Sequence, residues 1–160
     1  MALKAGSKAP AFSLANQDDR KINLKDYSGQ WVVLYFYPKD NTAGCSIEAE
    51  EFTKARKDFE NLGAVILGVS ADTTKTHRNF IEKKGLKINL LSDVEKNMLK
   101  KYDIWKLKKM AGKEYMGIVR TTYLINSMGK IVEVWDKVKT KGHAKEVLDR
   151  LMELKNNSSH

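Results

Sequence analysis

There is no second cysteine in this sequence. Cys45 is the one thiol among 160 residues, so an internal disulfide and a cysteine cluster for a metal are both excluded. Histidine is nearly as scarce: His77, His143 and His160 are scattered without ligand spacing. Long hydrophobic runs are missing too, and nothing approaches the roughly 20 apolar residues that a membrane helix needs. The opening stretch MALKAGSKAPAF carries no apolar core of a secretory signal. Together these absences predict a cytoplasmic protein without a membrane segment.

Acidic residues are in deficit, 20 against 29 basic ones, for a net charge of +9. The lysines crowd into KLKK (106–109) and KVKTK (137–141). Such clusters suit phosphate contacts with nucleic acid, but no reader helix, aromatic strand or zinc knuckle accompanies them. They read as solvated faces, and no nucleic-acid partner is expected. At 42% hydrophobic and 31% charged residues, the chain has enough apolar content for one folded core rather than disorder. Residues 1–160 are expected to form a single domain, with a frayed tail over 155–160.

The run WVVLYFY (31–37) is continuous, β-branched and aromatic, which predicts a strand buried on both faces. Pro38 stops it. Apolar residues at 47, 52, 55, 59 and 62 then define one helical stripe, closed by Gly63. AVILGVS (64–70) is a second buried strand, so strand, helix and strand make a right-handed parallel unit. Further along, the pattern predicts a helix over 73–85, a strand over 88–93 and a helix over 94–105. Residues 106–117 read as a basic, glycine-punctuated loop. Strands over 118–126 and 131–136 and an amphipathic helix over 143–154 complete the chain. The fold class is α/β: a thioredoxin-like sandwich, with a central mixed sheet flanked by helices and an N-terminal extension.

Cys45 lies where the first core strand hands over to the first helix. Thr42 is a good N-cap, which places Cys45 in the first helical turn. Free amide groups and the positive end of the helix dipole there favour a negative sulfur. Glu48, Glu50 and Glu51 oppose it unless they point away, and a cation from elsewhere would tip the balance. The alternative is a small buried hydrophobe, the commoner role of a lone cysteine. Against that, open α/β sheets bind ligands just outside the carboxyl ends of their strands.

Pro38, Thr42 and Cys45 match the Pro-x-x-x-Thr-x-x-Cys motif of peroxiredoxins, and FYPKDNTAGCSIEAEEF resembles the bacterioferritin comigratory protein, or Q-type, subfamily. The likeness extends through GVSADT, LLSD, VRTTYLINSMGKIVEVW and VKTKGHAKEVL, across most of residues 5–154. The resemblance implies a thiol-dependent peroxidase without a cofactor. Cys45 would be the peroxidatic cysteine, attacking a hydroperoxide and becoming a sulfenic acid. Thr42 would hydrogen-bond the peroxide, helped by the amides of Gly44 and Cys45. Arg120 would supply the cation, Pro38 would shield the thiolate from water, and Glu48 would orient the surrounding network. A monomer or weak homodimer is implied.

Two positions depart from the subfamily. Ala43 stands where proline is usual, and Glu50 where many relatives carry a resolving cysteine. With no partner sulfur in the chain, the expectation is a one-Cys mechanism reduced by an external thiol, either a small molecule or a thioredoxin- or glutaredoxin-like dithiol protein. A redox sensor without turnover, or a thioredoxin- or glutaredoxin-like protein, is the alternative. The latter needs a cis-proline facing the thiol, and Pro10 and Pro38 are the only prolines.

Overall fold

The computed structural model describes residues 2–158. In chain order the elements are β1 (Ser13–Ala15), β2 (Lys21–Asn23), a short 3-10 helix (Leu24–Tyr27), β3 (Trp31–Phe36), α1 (Ala43–Asn61), β4 (Ala64–Ser70), α2 (Thr74–Lys84), β5 (Asn89–Ser92), α3 (Asn97–Lys101), β6 (Trp105–Met110), β7 (Lys113–Ile118), β8 (Thr121–Ile125), β9 (Ile131–Trp135) and α4 (His143–Ser158). Seven strands form one sheet in the order β2-β1-β5-β4-β3-β8-β9. β3, β4 and β5 run parallel, and β8 returns antiparallel to β3.

β3 sits at the centre, and its apolar run has a reason. Val33 and Tyr35 point into one core, shared with Phe52 and Phe59 of α1, Phe80 of α2 and Val147 and Leu151 of α4. Val32, Leu34 and Phe36 point into the other, with Met98 and Leu99 of α3 and the N-terminal Phe12. Strand side chains alternate between faces, so a strand buried on both must be apolar throughout. This is the mixed sheet between helical layers that the sequence pattern predicts.

Four local expectations need correction. α1 begins at Ala43, and Ile47, assigned to its buried stripe, is 41% exposed. The buried face runs through Cys45, Glu48, Ala49, Phe52 and Phe59 instead. The helix expected over 94–105 shrinks to α3. Lys96 adopts left-handed backbone at φ 67°, and Asp93 Oδ2 caps the short helix by accepting from the Leu99 amide at 2.7 Å. Residues 106–117 are not a loop but most of the β6–β7 hairpin. Its two-residue turn, Ala111–Gly112, has φ of 52° and 79°, the geometry that matches the twist of paired strands. Finally, α4 continues to Ser158, beyond the helix end expected at 154, while 159–160 and the His160 reading lie outside the described residues.

Candidate active site

The site assembles where β3 ends. Tyr37 and Pro38 leave the sheet, the chain turns through Lys39–Asn41, and α1 starts. Thr42 is the N-cap by position, with extended backbone. Its hydroxyl does not cap the helix, contrary to the usual role of threonine there. It donates to the Lys39 carbonyl at 2.9 Å. A hydroxyl has one hydrogen and two lone pairs, so Thr42 Oγ1 keeps capacity to accept from a ligand.

Cys45 is the third residue of α1. The first intrahelical bond runs from the Ser46 amide to the Thr42 carbonyl, so the amides of Ala43, Gly44 and Cys45 have no partner within the helix. The thiol is 1% exposed, but its surroundings are not purely apolar. Arg120, in the short link between β7 and β8, places Nη2 3.2 Å from Cys45 Sγ. Its Nη1 donates to Glu48 Oε1 at 2.7 Å. One guanidinium thus bridges the sulfur and a carboxylate one helical turn further on. The fork geometry of arginine permits this, whereas a lysine ammonium has no rigid fork.

Arg120 and Glu48 tune each other. Burial alone would pull the guanidinium down, but the Glu48 carboxylate and the Cys45 sulfur outweigh it and raise it above its ordinary value. Burial pushes Glu48 up to about 7, against the pull of Arg120. The second oxygen, Oε2, is buried without a hydrogen-bond partner, and an unsatisfied carboxylate oxygen favours a proton. The folded state therefore binds that proton more tightly than the unfolded chain. The stabilisation is complete below the ordinary glutamate range and fades as pH rises through 7. Glu48→Gln should gain stability on the wild type by on the order of 1–3 kcal/mol between about pH 4 and pH 8. Urea unfolding at both pH values checks this; a difference that does not vary with pH counts against a titrating Glu48.

The structure gathers all the residues singled out by motif into one region. Cys45, Glu48 and Arg120 are in direct contact, and Pro38, Thr42 and Gly44 lie on the loop and first turn that carry the sulfur. Sequence reasoning missed others. Lys108, taken as part of a solvated loop, is half-buried on β6, its stem crossing Gly117, where an added Cβ would lie 3.0 Å from Lys108 Cδ. Burial and then Arg120 pull its ammonium down, and the Cys45 sulfur pulls the other way. His143 is buried with its Nε2 2.7 Å from the Thr122 hydroxyl, and burial holds it below the ordinary histidine value. His77 and Asp40 form a fully buried pair. The one available signal was an aspartate within a short polar loop after an apolar strand.

A sulfur at a helix start thus faces a guanidinium from the distant link between β7 and β8. The AhpC/TSA family model matches residues 5–134. The chain belongs to that family. Within it the relatives are peroxiredoxins of the Bcp, or Q, type. Peroxiredoxin Bcp of Bacillus subtilis is 45% identical over 154 residues, covering 96% of this chain and 98% of the relative. Peroxiredoxin Bcp of Escherichia coli is 40% identical over 151 residues, covering 94% and 97%. Among solved structures, a cysteine-to-serine mutant of Xylella fastidiosa PrxQ superposes with a TM-score of 0.91 at 39% identity, covering 96% and 98%. The bacterioferritin comigratory protein of Xanthomonas campestris, described for its alkyl peroxide reduction activity, gives 0.88 at 38% identity, covering 94% and 98%. The thioredoxin-like fold and the thiol-dependent peroxidase class expected from the sequence are borne out. This peroxiredoxin holds a single cysteine, Cys45.

Proposed function

We propose that this peroxiredoxin reduces hydrogen peroxide and organic hydroperoxides through Cys45 alone, with an external thiol closing the cycle. The contact that carries the reading is the Arg120 guanidinium, 3.2 Å from the sulfur. The Cys45 thiolate attacks the terminal peroxide oxygen. An S–O bond forms, the O–O bond breaks, and its electron pair leaves on the other oxygen, which takes a proton to become alcohol or water. Arg120 stabilises charge on the separating oxygens, and the free amides of the first turn of α1 add dipoles that need no reorganisation. Thr42 accepts from the peroxide O–H, and Pro38 limits water at the sulfur. Glu48 holds the guanidinium in place. A first thiol then condenses with the sulfenic acid, releasing water and leaving a mixed disulfide. A second thiol displaces it and restores the thiolate. The partners are a hydroperoxide and a small thiol or dithiol protein of the thioredoxin or glutaredoxin kind, in the reducing cytoplasm, where a lone thiol persists.

A panel of thiol reductants under steady peroxide tests this. Turnover with at least one reductant is expected; a single stoichiometric oxidation without turnover would identify a redox sensor instead. Thr42→Val should slow the peroxide step by about 10-fold or more, and loss of the bond to Lys39 should cost about 1 kcal/mol of stability. An unaltered rate with peroxide would remove Thr42 from the site. Because no second thiol traps the sulfenic acid, excess peroxide should drive Cys45 on to the sulfinic acid. Mass spectrometry that finds no dioxygen adduct on Cys45 would contradict this.

A further inference from the structure

Behind the Cys45 loop lies a buried polar network that the chemistry above does not use. Asp40 Oδ1 accepts from the Tyr37 hydroxyl at 2.6 Å, and Oδ2 lies 2.6 Å from His77 Nδ1. His77 Nε2 is 2.9 Å from the Leu91 carbonyl. A carbonyl only accepts, so Nε2 carries a hydrogen. The contact between Nδ1 and Oδ2 then holds one further proton, whichever atom owns it. From the other side, Asp72 Oδ2 accepts from the Asp40 amide at 2.8 Å and from the Ser70 hydroxyl at 2.7 Å. Asp40, Asp72 and His77 bring ligand-type atoms within 4.8 Å of one another, the spacing of a metal site. Here those atoms are already joined through hydrogens to each other or to neighbouring groups.

The position of the network suggests its use. Both the Asp40 and His77 side chains are 0% exposed, and apolar residues of equal volume would serve stability as well as a buried polar pair. Yet Asp40 is the one buried residue between Pro38 and Thr42: Lys39, Asn41 and Thr42 are exposed and Pro38 is half-buried. The loop therefore has a single deep anchor. It is tied to the end of β3 through Tyr37, to α2 and β5 through His77, and to the segment after β4 through Asp72.

We propose that Tyr37, Asp40 and His77 are positioning residues, fixing the loop that sets Pro38 and Thr42 around Cys45 so that a bound peroxide lines up with the sulfur. This rests on the peroxidase reading and adds to it. Peroxide attack depends on loop placement, because the substrate must be held. Alkylation by iodoacetamide needs the thiolate and access to a sulfur that is 1% exposed, but no bound and aligned substrate. The two rates should separate when the anchor is weakened.

A pair of substitutions at His77 isolates the contact. Asparagine places an amide nitrogen near the Nδ1 position, keeping a donor to Asp40 and losing Leu91. Glutamine reaches the Nε2 position, keeping Leu91 and losing Asp40. Single-turnover oxidation of the reduced protein by hydrogen peroxide should slow by about 10- to 100-fold in His77→Gln and by less than about 3-fold in His77→Asn, with alkylation within about 3-fold of wild type in both. The reverse order would show that His77 acts by holding α2 to β5, and would overturn the proposal. Peroxide and alkylation rates falling in parallel, or neither falling, would do the same. Should both variants fail to fold, Tyr37→Phe carries the test: it keeps the ring in the core and removes one bond to Asp40. A lower ratio of peroxide to alkylation rate supports the proposal, and an unchanged ratio overturns it. A wild-type protein inert to peroxide would defeat the peroxidase reading itself, and this inference with it.

Discussion

Cys45→Ser should lose peroxide turnover by about ten-thousand-fold or more, down to the background reaction of peroxide with the added thiol. The substitution is nearly isosteric. The serine oxygen can accept from Arg120 much as the sulfur does, so the fold and the first turn of α1 should persist. What disappears is the nucleophile. A serine hydroxyl stays protonated beside a guanidinium and a helix start, because those fields are too weak to ionise an alcohol near neutral pH. It also has no stable oxidised form corresponding to a sulfenic acid. Peroxide loss followed with the best reductant of the panel, alongside thermal unfolding, separates the two effects. Retained turnover in the folded serine variant would move the chemistry away from Cys45 altogether.

Arg120→Ala should be the second-largest lesion, slowing peroxide attack by about 100- to 1,000-fold. It should also destabilise the protein by about 3 kcal/mol, because Glu48, 1% exposed, is left without its partner. Those two losses have different origins and can be separated. Adding Glu48→Gln removes the buried carboxyl, which without Arg120 ionises only at higher pH, so above neutral pH the double variant should recover most of the stability and none of the rate. Arg120→Lys should fall between wild type and alanine, since one ammonium cannot span the sulfur and the carboxylate in fixed geometry. Single-turnover kinetics and denaturant unfolding on the four proteins check this. A double variant that regains activity would mean that Arg120 serves only to neutralise Glu48.

How much of this was legible in the sequence follows from the range of the interactions. β3 and β4 were readable because strands buried on both faces leave a continuous apolar signature. α2 was readable because Gly85 ends it, at φ 63°, while its cap, Thr73 accepting from the Thr76 amide at 3.2 Å, was visible only in the structure. The β6–β7 hairpin was not. Ala111 sits at the first turn position, where asparagine, aspartate or glycine usually announces such a turn, and alternation along β6 is obscured by lysines. The inward face of α1 misled for a related reason. Glu48 is buried because Arg120 reaches it from 72 residues away, and no local pattern reports a distant partner. The Asp40–His77 contact spans 37 residues and was equally silent. The motif identified the sulfur, while the groups that hold its surroundings in place came from elsewhere in the chain.

The uninterrupted course of α1 past Glu50 has one more implication. Two sulfurs five residues apart on an intact helix are separated by about 7.5 Å along its axis, beyond the reach of a disulfide. A relative that bonds those two positions must melt the start of its helix in every cycle and rebuild it afterwards. Here no such cross-link can form. The first turns of α1 are free of any disulfide-driven unwinding, and with Cys45 1% exposed the incoming reductant meets the sulfur only where local opening uncovers it.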